Sequence, residues 1–343
     1  MVAIASCCPD GKRQPVRAIA LYSGSLESSL AVRLAERAGL FDILLIYFRT
    51  PFFPGEDEVG LLAKRDLPNY PFRSVTLKRD FLRIALVGNT FPFPCGACRH
   101  VLLRRAARLA RRLHVEVIVT GEVVGKGGLN TEVLAELDQS LGLSGRVLRP
   151  LSAKVLPPTM VEHAGAVDRS PLLGLVWNGA AREELQHVAR DLGLAASAGP
   201  RECLLSDEAF LGRFRQALAW ERATANTIQL ARFVHCYKIE PEAKVVIAFT
   251  KEEQKRLHTL FLPTDVRLYI PTPGSPLALV RAQWTQRAPE ERAAILQGAA
   301  QKLLEVAGLP THRPWSICYR CEGEEETQRM VVACPQPSSL IPG

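Results

Sequence analysis

LYSGSLESSLAVRLAERAG, residues 21–39, joins a short apolar run to an amphipathic segment through a turn of small polar residues. Ahead of the turn, Val16 to Tyr22 is compact and apolar, the pattern of a buried strand. Behind it, Leu26, Leu30, Leu34 and Ala38 recur at helical spacing, with Glu27, Arg33, Glu36 and Arg37 mostly opposite, and Gly39 ends the run. The order is therefore strand, tight turn, helix. A helix start directs unpaired N–H groups and the positive end of its dipole into such a turn, which suits a phosphate or pyrophosphate. Glu27, in the first helical turn, would repel a phosphate unless a divalent cation such as Mg²⁺ lay between them. The same residues also satisfy an ordinary N-cap, so the stretch alone leaves both uses open.

Outward from this stretch the rhythm continues. Asp42 to Phe48 reads as a strand, followed by a Pro-rich connection with a short helix, then a strand from Phe72 to Leu77. A helix near 80–86, a long helix from about Cys98 and a strand from Val115 to Thr120 complete the first half. Alternation of this kind predicts an α/β fold, a Rossmann-like parallel sheet with helices on both faces and ligands beyond the carboxyl ends of its strands. The turn at Ser23 to Ser25 and the stretch Thr120-Gly121-Glu122 both fall at such ends and are expected to face one crevice. TGEVVGKGG (120–128) is not a Walker A loop: its glycine spacing is one residue short, and Lys126 is followed by glycine.

At 343 residues the chain exceeds what one core usually organises. With 47% hydrophobic and 23% charged residues it has a globular composition, and no apolar run approaches the roughly eighteen residues of a spanning helix. No membrane association and no signal peptide are expected from the opening MVAIASCCPDGKRQP. Nine cysteines, an odd number, then point to thiol or metal chemistry in a reducing, cytoplasmic setting. A formal charge of +8 favours a polyanionic partner.

Cys95-Gly-Ala-Cys98 directly precedes a helix, where thiol pKa values fall, and Cys203 stands far downstream. Along the helix, Arg104, Arg108 and Arg111 recur on one side with Arg105 and Arg112 beside them, opposite Leu102, Ala106, Leu109 and Leu113. No acidic residue lies between Arg99 and Glu116, so this face either binds a nucleic-acid backbone or is a solvated surface.

Together these stretches resemble the PP-loop ATP pyrophosphatase superfamily, which has an adenine nucleotide alpha hydrolase-like fold, and within it the tRNA thiouridine sulfurtransferase branch. The resemblance rests on SGSLESSLAVRLAERAG (23–39), PCGACRHVLLRRA (94–106), TGEVVGKGGLNT (120–131), RPLSAKVLPPT (149–159) and ECLLSDEAF (202–210), in the order the family has them. It implies ATP-dependent adenylation of a uridine carbonyl of tRNA, release of pyrophosphate and replacement of oxygen by sulfur from sulfide or a persulfide carrier. By position, Ser23, Gly24, Ser25 and Ser28 would hold the phosphates, bordered by Thr120 and Gly121, and Glu27 would place Mg²⁺. Lys154 would offer charge to phosphate or substrate. Cys95, Cys98 and Cys203 would carry sulfur as a persulfide or ligate a [4Fe-4S] cluster through three thiolates, with structural Zn²⁺ as the alternative. Two positions depart from the family loop: Ser25 replaces its second glycine, where a φ above zero would be strained, and Glu27 replaces its aspartate. A PP-loop protein that has become an RNA-binding module, or an amide-forming ligase of the same superfamily, remains an alternative, as does a homodimer.

After about residue 220 the character changes. Strands are expected at Phe233 to Ile239, Val245 to Phe249 and Val266 to Ile270, and helices from Lys251 to Leu260 and from Pro289 to Val306. PTPGSP (271–276) reads as a rigid turn, and Trp315 to Arg320 with Gln328 to Ala333 as a hairpin. This part, carried by VVIAFTKEEQKRLHTLFLPTDVRLYIPTPGSPLALV (245–280), resembles the NFACT-type RNA-binding domain of proteins that work with tRNA and stalled ribosomes. The expected division is 1–160 for ATP binding, 161–222 as a helical extension with the third cysteine, and 223–343 as the α+β domain. Cys318, Cys321 and Cys334 with His312 form an irregularly spaced candidate for Zn²⁺, while His100, His163, His235 and His258 read as structural.

Overall fold

β1 (Arg17–Leu21) buries Ala18, Ile19 and Ala20 at the centre of a parallel sheet, as an apolar run bounded by a turn requires. The computed structural model describes residues 16–53, 56–77, 95–194, 203–219, 221–240, 242–309 and 313–333. The helix expected near 80–86 lies outside these residues. β2 (Asp42–Arg49), β3 (Phe72–Thr76), β4 (Val117–Thr120) and β5 (Val147–Leu148) complete the sheet in the order β3-β2-β1-β4-β5. All four pairings are parallel. The order reverses direction between β1 and β4, and doubly wound sheets open their ligand crevice at that reversal.

α1 (Leu26–Arg37) follows β1, α2 (Glu56–Asp66) follows β2, and α3 (Cys95–Leu113) leads into β4. α4 (Thr131–Ser140), α5 (Met160–His163) and α6 (Ala181–Asp191) lie beyond β4. Burial on α1 is broader than its predicted stripe, because Ala31, Val32 and Ala35 are also buried. Leu185 and Ala189 of α6 share the core with them. On α3 the buried stripe is Leu103, Ala106, Ala107 and Ala110. It is rotated from the expected one, and Leu102, Leu109 and Leu113 are only half-buried beside it. Spacings 102-106-109-113 and 103-106-107-110 both fit a helical face, so periodicity alone does not choose between them.

The chain divides into two compact units, 1–206 and 207–343. α6 belongs to the first unit's core, where Leu185 and Ala189 pack with α1. The second unit begins with α7 (Glu208–Leu218) and α8 (Ala225–Ala231). Its six-stranded antiparallel sheet has the order β11-β10-β8-β9-β7-β6. The strands are β6 (Cys236–Ile239), β7 (Ala243–Ala248), β8 (Val266–Tyr269), β9 (Leu277–Arg281), β10 (Pro314–Cys321) and β11 (Gln328–Ala333). α9 (Lys251–His258) and α10 (Pro289–Val306) supply the remaining helices. α10 packs on one face through Ile295, Ala299 and Leu303 against Val245, Leu268 and Val280. Leu230 of α8 and Leu257 of α9 cover Val246, Ala248 and Leu279 on the other. β9, absent from the sequence reading, is a central strand whose residues Leu277 to Val280 are buried on both faces, leaving no alternation to detect. Among the described residues no helix is long and apolar enough to cross a membrane.

Candidate functional site

Gly24 adopts φ +76°, a conformation that calls for glycine, whereas a Cβ there would meet closely only the movable Cδ1 of Leu62 on α2, at 2.9 Å. Ser25 needs no such freedom. It is the N-cap of α1 at φ −76°, ψ 157°, and its Oγ accepts from the Ser28 N–H at 3.3 Å. Serine at position 25 thus leaves the turn unstrained. Ser23 Oγ donates to Ser25 Oγ at 3.2 Å, the Ser28 hydroxyl lies 3.4 Å from Ser25 Oγ, and the Ser23 N–H donates to Ser28 Oγ at 3.4 Å. These contacts are long for their types, so the Ser23 and Ser25 hydroxyls can turn to an anion at little cost, whereas the Ser28 hydroxyl already donates to the Ser25 carbonyl at 2.8 Å.

The end of β4 closes against this turn. A Cβ on Gly121 would lie 2.7 Å from C and O of Glu27 and 2.8 Å from N of Ser28. Only glycine lets the β4 end meet the start of α1 so closely. Thr120 is buried and donates its hydroxyl to Glu122 Oε2 at 3.2 Å. The Glu27 carboxylate, which the sequence reading assigns to Mg²⁺, is paired with Nζ of Lys126. Burial alone would raise Glu27, but the hydrogen bond and charge of Lys126 outweigh it and hold the carboxyl below its ordinary value. The Lys126 ammonium also lies 4.4 Å from the Trp177 ring centroid, in cation–π range. Trp177 is held by its backbone N–H donating to the carbonyl of Val124 at 2.7 Å. Lys154, the cation expected here, instead donates to the carbonyl of Ser170 at 3.0 Å.

Beneath the turn lies a charged network that the sequence did not reveal. Glu122 and Arg149 are buried and joined at 2.6 Å, and Arg149 grips Asp138 bidentately at 2.7 and 2.8 Å. Desolvation works to raise the Glu122 carboxyl, but the guanidinium groups of Arg149 and Arg99 prevail and keep it low. Oε1 of Glu122 has no hydrogen bond among the described residues and lies 3.4 Å from Nε of Arg99. Arg99 follows Cys98 in the first turns of α3, so this contact ties the cysteine-bearing helix start to the end of β4. Cys203 approaches the same edge by another route: the N–H of its neighbour Leu204 donates to the carbonyl of Phe52, just beyond β2, at 2.9 Å. The strand ends, the start of α1, the start of α3 and the Cys203 segment therefore all lie at the carboxyl edge of one sheet.

Cys98 and Cys203 are half-buried, and the Cys95 side chain lies outside the described residues. Among the described residues no group of three or more His, Cys, Asp or Glu side chains is arranged to hold a metal. In the second unit Cys318 is buried, Cys321 donates its thiol to the carbonyl of Pro263 at 3.4 Å, and His312 and Cys334 lie outside the described residues. His163, His235 and His258 hydrogen-bond to Thr159, Tyr237 and Arg267 respectively. Of the five arginines proposed for RNA, Arg108, Arg111 and Arg112 are exposed on α3, while Arg104 and Arg105 are half-buried nearer the cysteines.

No family model matches the chain, and no curated protein matches it. Among solved structures it is similar to a crystal structure of a 4-thiouridine synthetase–RNA complex with bound ATP, at 20% sequence identity and a TM-score of 0.33. That likeness covers 52% of this chain and 51% of the other, so the chain spans about half the length of that protein.

Proposed function

We propose that the first unit binds ATP at the turn after β1 and spends it on activating a uridine carbonyl of tRNA for sulfur insertion. What carries this reading is the meeting of two helix starts at the sheet reversal. α1 offers an anion site beside Gly121, and α3 brings Cys98 to the same edge through Arg99 and Glu122. Ser23, Gly24, Ser25 and Ser28 hold the phosphates. The carbonyl oxygen attacks the α-phosphorus, pyrophosphate departs along the turn, and AMP leaves when sulfur adds to the ring carbon. Mg²⁺ bound at Glu27 would offset the phosphate charge once Lys126 turns away. Sulfur arrives on one thiol of Cys95, Cys98 or Cys203 as a persulfide supplied by a carrier. A second thiol then attacks the Sγ of the cysteine that carried it, breaking the S–S bond so that the outer sulfur stays on the ring as the thiocarbonyl, and leaving a Cys–Cys disulfide for an external thiol to reduce.

ATP/pyrophosphate exchange with anaerobically purified protein, with and without tRNA, tests the first step, and nucleoside analysis tests the second. Cys98→Ala is expected to abolish thiouridine while leaving exchange near its original rate. Absence of ATP binding at any Mg²⁺ concentration defeats the enzymatic reading. The Lys126–Glu27 pair supports one rival, because an internal cation already sits where Mg²⁺ would be needed: a module that binds tRNA without turning over ATP. Tight tRNA binding with no exchange, restored on Lys126→Ala, identifies that case.

RNA is proposed to lie along α3. Replacing Arg108, Arg111 and Arg112 by alanine should weaken tRNA binding regardless of sequence, and should flatten the dependence of log K on log salt by about 0.7–0.9 for each phosphate no longer neutralised. An unchanged salt slope assigns these arginines to an ordinary solvated face.

A further inference from the structure

At the carboxyl edge of the first unit's sheet, one ammonium serves two partners. Lys126 Nζ is paired with the Glu27 carboxylate and stands over the face of the Trp177 ring, 4.4 Å from its centroid. The ring and its cover differ in how firmly they are held. Trp177 is half-buried, packs against the core of the first unit and is tied through its backbone to Val124. Lys126 lies in a short turn (Lys126–Gly128), and its side chain is 42% exposed. The face beneath an exposed side chain is the one that opens when that side chain leaves. One face of the indole is therefore a fixed, flat wall closed by a movable cation.

Position narrows what such a wall receives. The ring stands one ammonium away from Glu27, in the first turn of α1, beside the turn assigned to the phosphates. A carbonyl that attacks phosphorus has to come within about 3–3.5 Å of it, so the base carrying that carbonyl lies next to the phosphates. The adenine of ATP is instead separated from the pyrophosphate by the α-phosphate and the ribose. An unpaired uracil offers a π face whatever its polar edge is doing, and an indole face is its complement. On the uridine-activating reading of the phosphate turn, on which this inference rests, we propose that Trp177 is the platform on which the target uracil stacks, with Lys126 as its cover. A triphosphate arriving beside Glu27 gives the ammonium a stronger anion than one carboxylate, so nucleotide bares the ring and binds before the base.

A single-stranded RNA pentamer with 5-bromouridine at its centre reports the contact: ultraviolet light joins that base to an aromatic ring stacked on it, and peptide mass spectrometry of the full chain places the bond. Wild-type protein should give little product at Trp177 alone and about tenfold more with Mg²⁺ and α,β-methylene-ATP, which cannot release pyrophosphate. Lys126→Ala should reach the higher yield without nucleotide. In the Lys126→Ala background, Trp177→Phe should bind the pentamer nearly as before, whereas Trp177→Leu should bind it roughly tenfold more weakly, the effect of one lost stack. Both substitutes are apolar and of similar size, so the difference between them isolates the π face from packing on the core. Background crosslinking of Trp177 in Lys126→Ala, equal binding by the Phe and Leu variants, or a wild-type yield unchanged by nucleotide that is shown to bind overturns the assignment. So does loss of the Trp177 product on adding the ATP analogue, which would give the ring to adenine. ATP binding itself is followed by equilibrium dialysis. Its failure removes the phosphate site, while the crosslink in Lys126→Ala needs no nucleotide and decides the platform separately.

Discussion

Arg149→Met is expected to destabilise the first unit by about 3–5 kcal/mol, the usual result of removing one partner from a buried ion pair. The cost comes from what is left behind. Glu122 is almost completely buried, and its Oε2 meets Arg149 at 2.6 Å. With Arg149 gone, the carboxylate would keep only the neutral Thr120 hydroxyl at 3.2 Å and one charge, Arg99, at 3.4 Å and partly exposed. For a unit of this size the loss corresponds to a fall in melting temperature of roughly 6–20 °C. The sign of the pH dependence separates this cause from simple loss of packing. In the wild type the Glu122 carboxyl is held below its ordinary 4.5, so its contribution is present above that value and disappears as pH falls through the lowered one. In the variant, burial dominates and pushes the carboxyl up, so protonation relieves the penalty. The gap between the two melting temperatures should therefore narrow as pH is lowered from neutrality towards the ordinary glutamate value. A gap that stays constant over that range would mean that Arg149 acts only by filling space. Glu122→Gln, Asp138→Asn and Arg149→Met combined should recover much of the loss, since no ionised group is then stranded.

The parts of this architecture legible in the sequence are local ones. Strand, turn and helix around Ser23 to Ser28 share a few consecutive residues, so apolar spacing and small side chains were enough to place them. α10 was equally clear, because Pro289 with acidic residues behind it marks a helix start. The candidate site was less legible because its electrostatic partners are distant in sequence. Lys126 reaches Glu27 across 99 positions, and Arg149 reaches Glu122 across 27. A charge in an apolar stretch signals only that some partner exists; RVLRPLS (146–152) carried that signal at Arg149, without saying which acid would meet it. In the sequence Lys126 stands in an imperfect phosphate-loop motif, whereas the fold sets its charge against Glu27 at the start of α1. Its neighbour Trp177 enters through an isolated parallel bridge between Val124 and Val176, which no periodicity announces.

Gly121→Ala should do less harm to stability than Arg149→Met and more to nucleotide binding. The added methyl would lie 2.7–2.8 Å from three backbone atoms of Glu27 and Ser28. A clashing side chain can rotate away, but a helix start moves only by carrying its N–H groups with it. Overpacking of this kind costs about 1–3 kcal/mol. The larger consequence is displacement of Ser25, Glu27 and Ser28 relative to β4, and in a site built on backbone donors a misplacement near 1 Å is worth on the order of 100-fold in rate. ATP/pyrophosphate exchange is thus expected to fall by about two orders of magnitude while the protein stays folded at room temperature. Gly212→Ala serves as the contrast. It lies within α7, a Cβ there meets nothing within 4 Å, and alanine should stabilise that helix by about 0.5–1 kcal/mol. If Gly121→Ala kept full nucleotide affinity, the turn after β1 could not be where the phosphates lie, because no shift that accommodates the methyl leaves the start of α1 where it was.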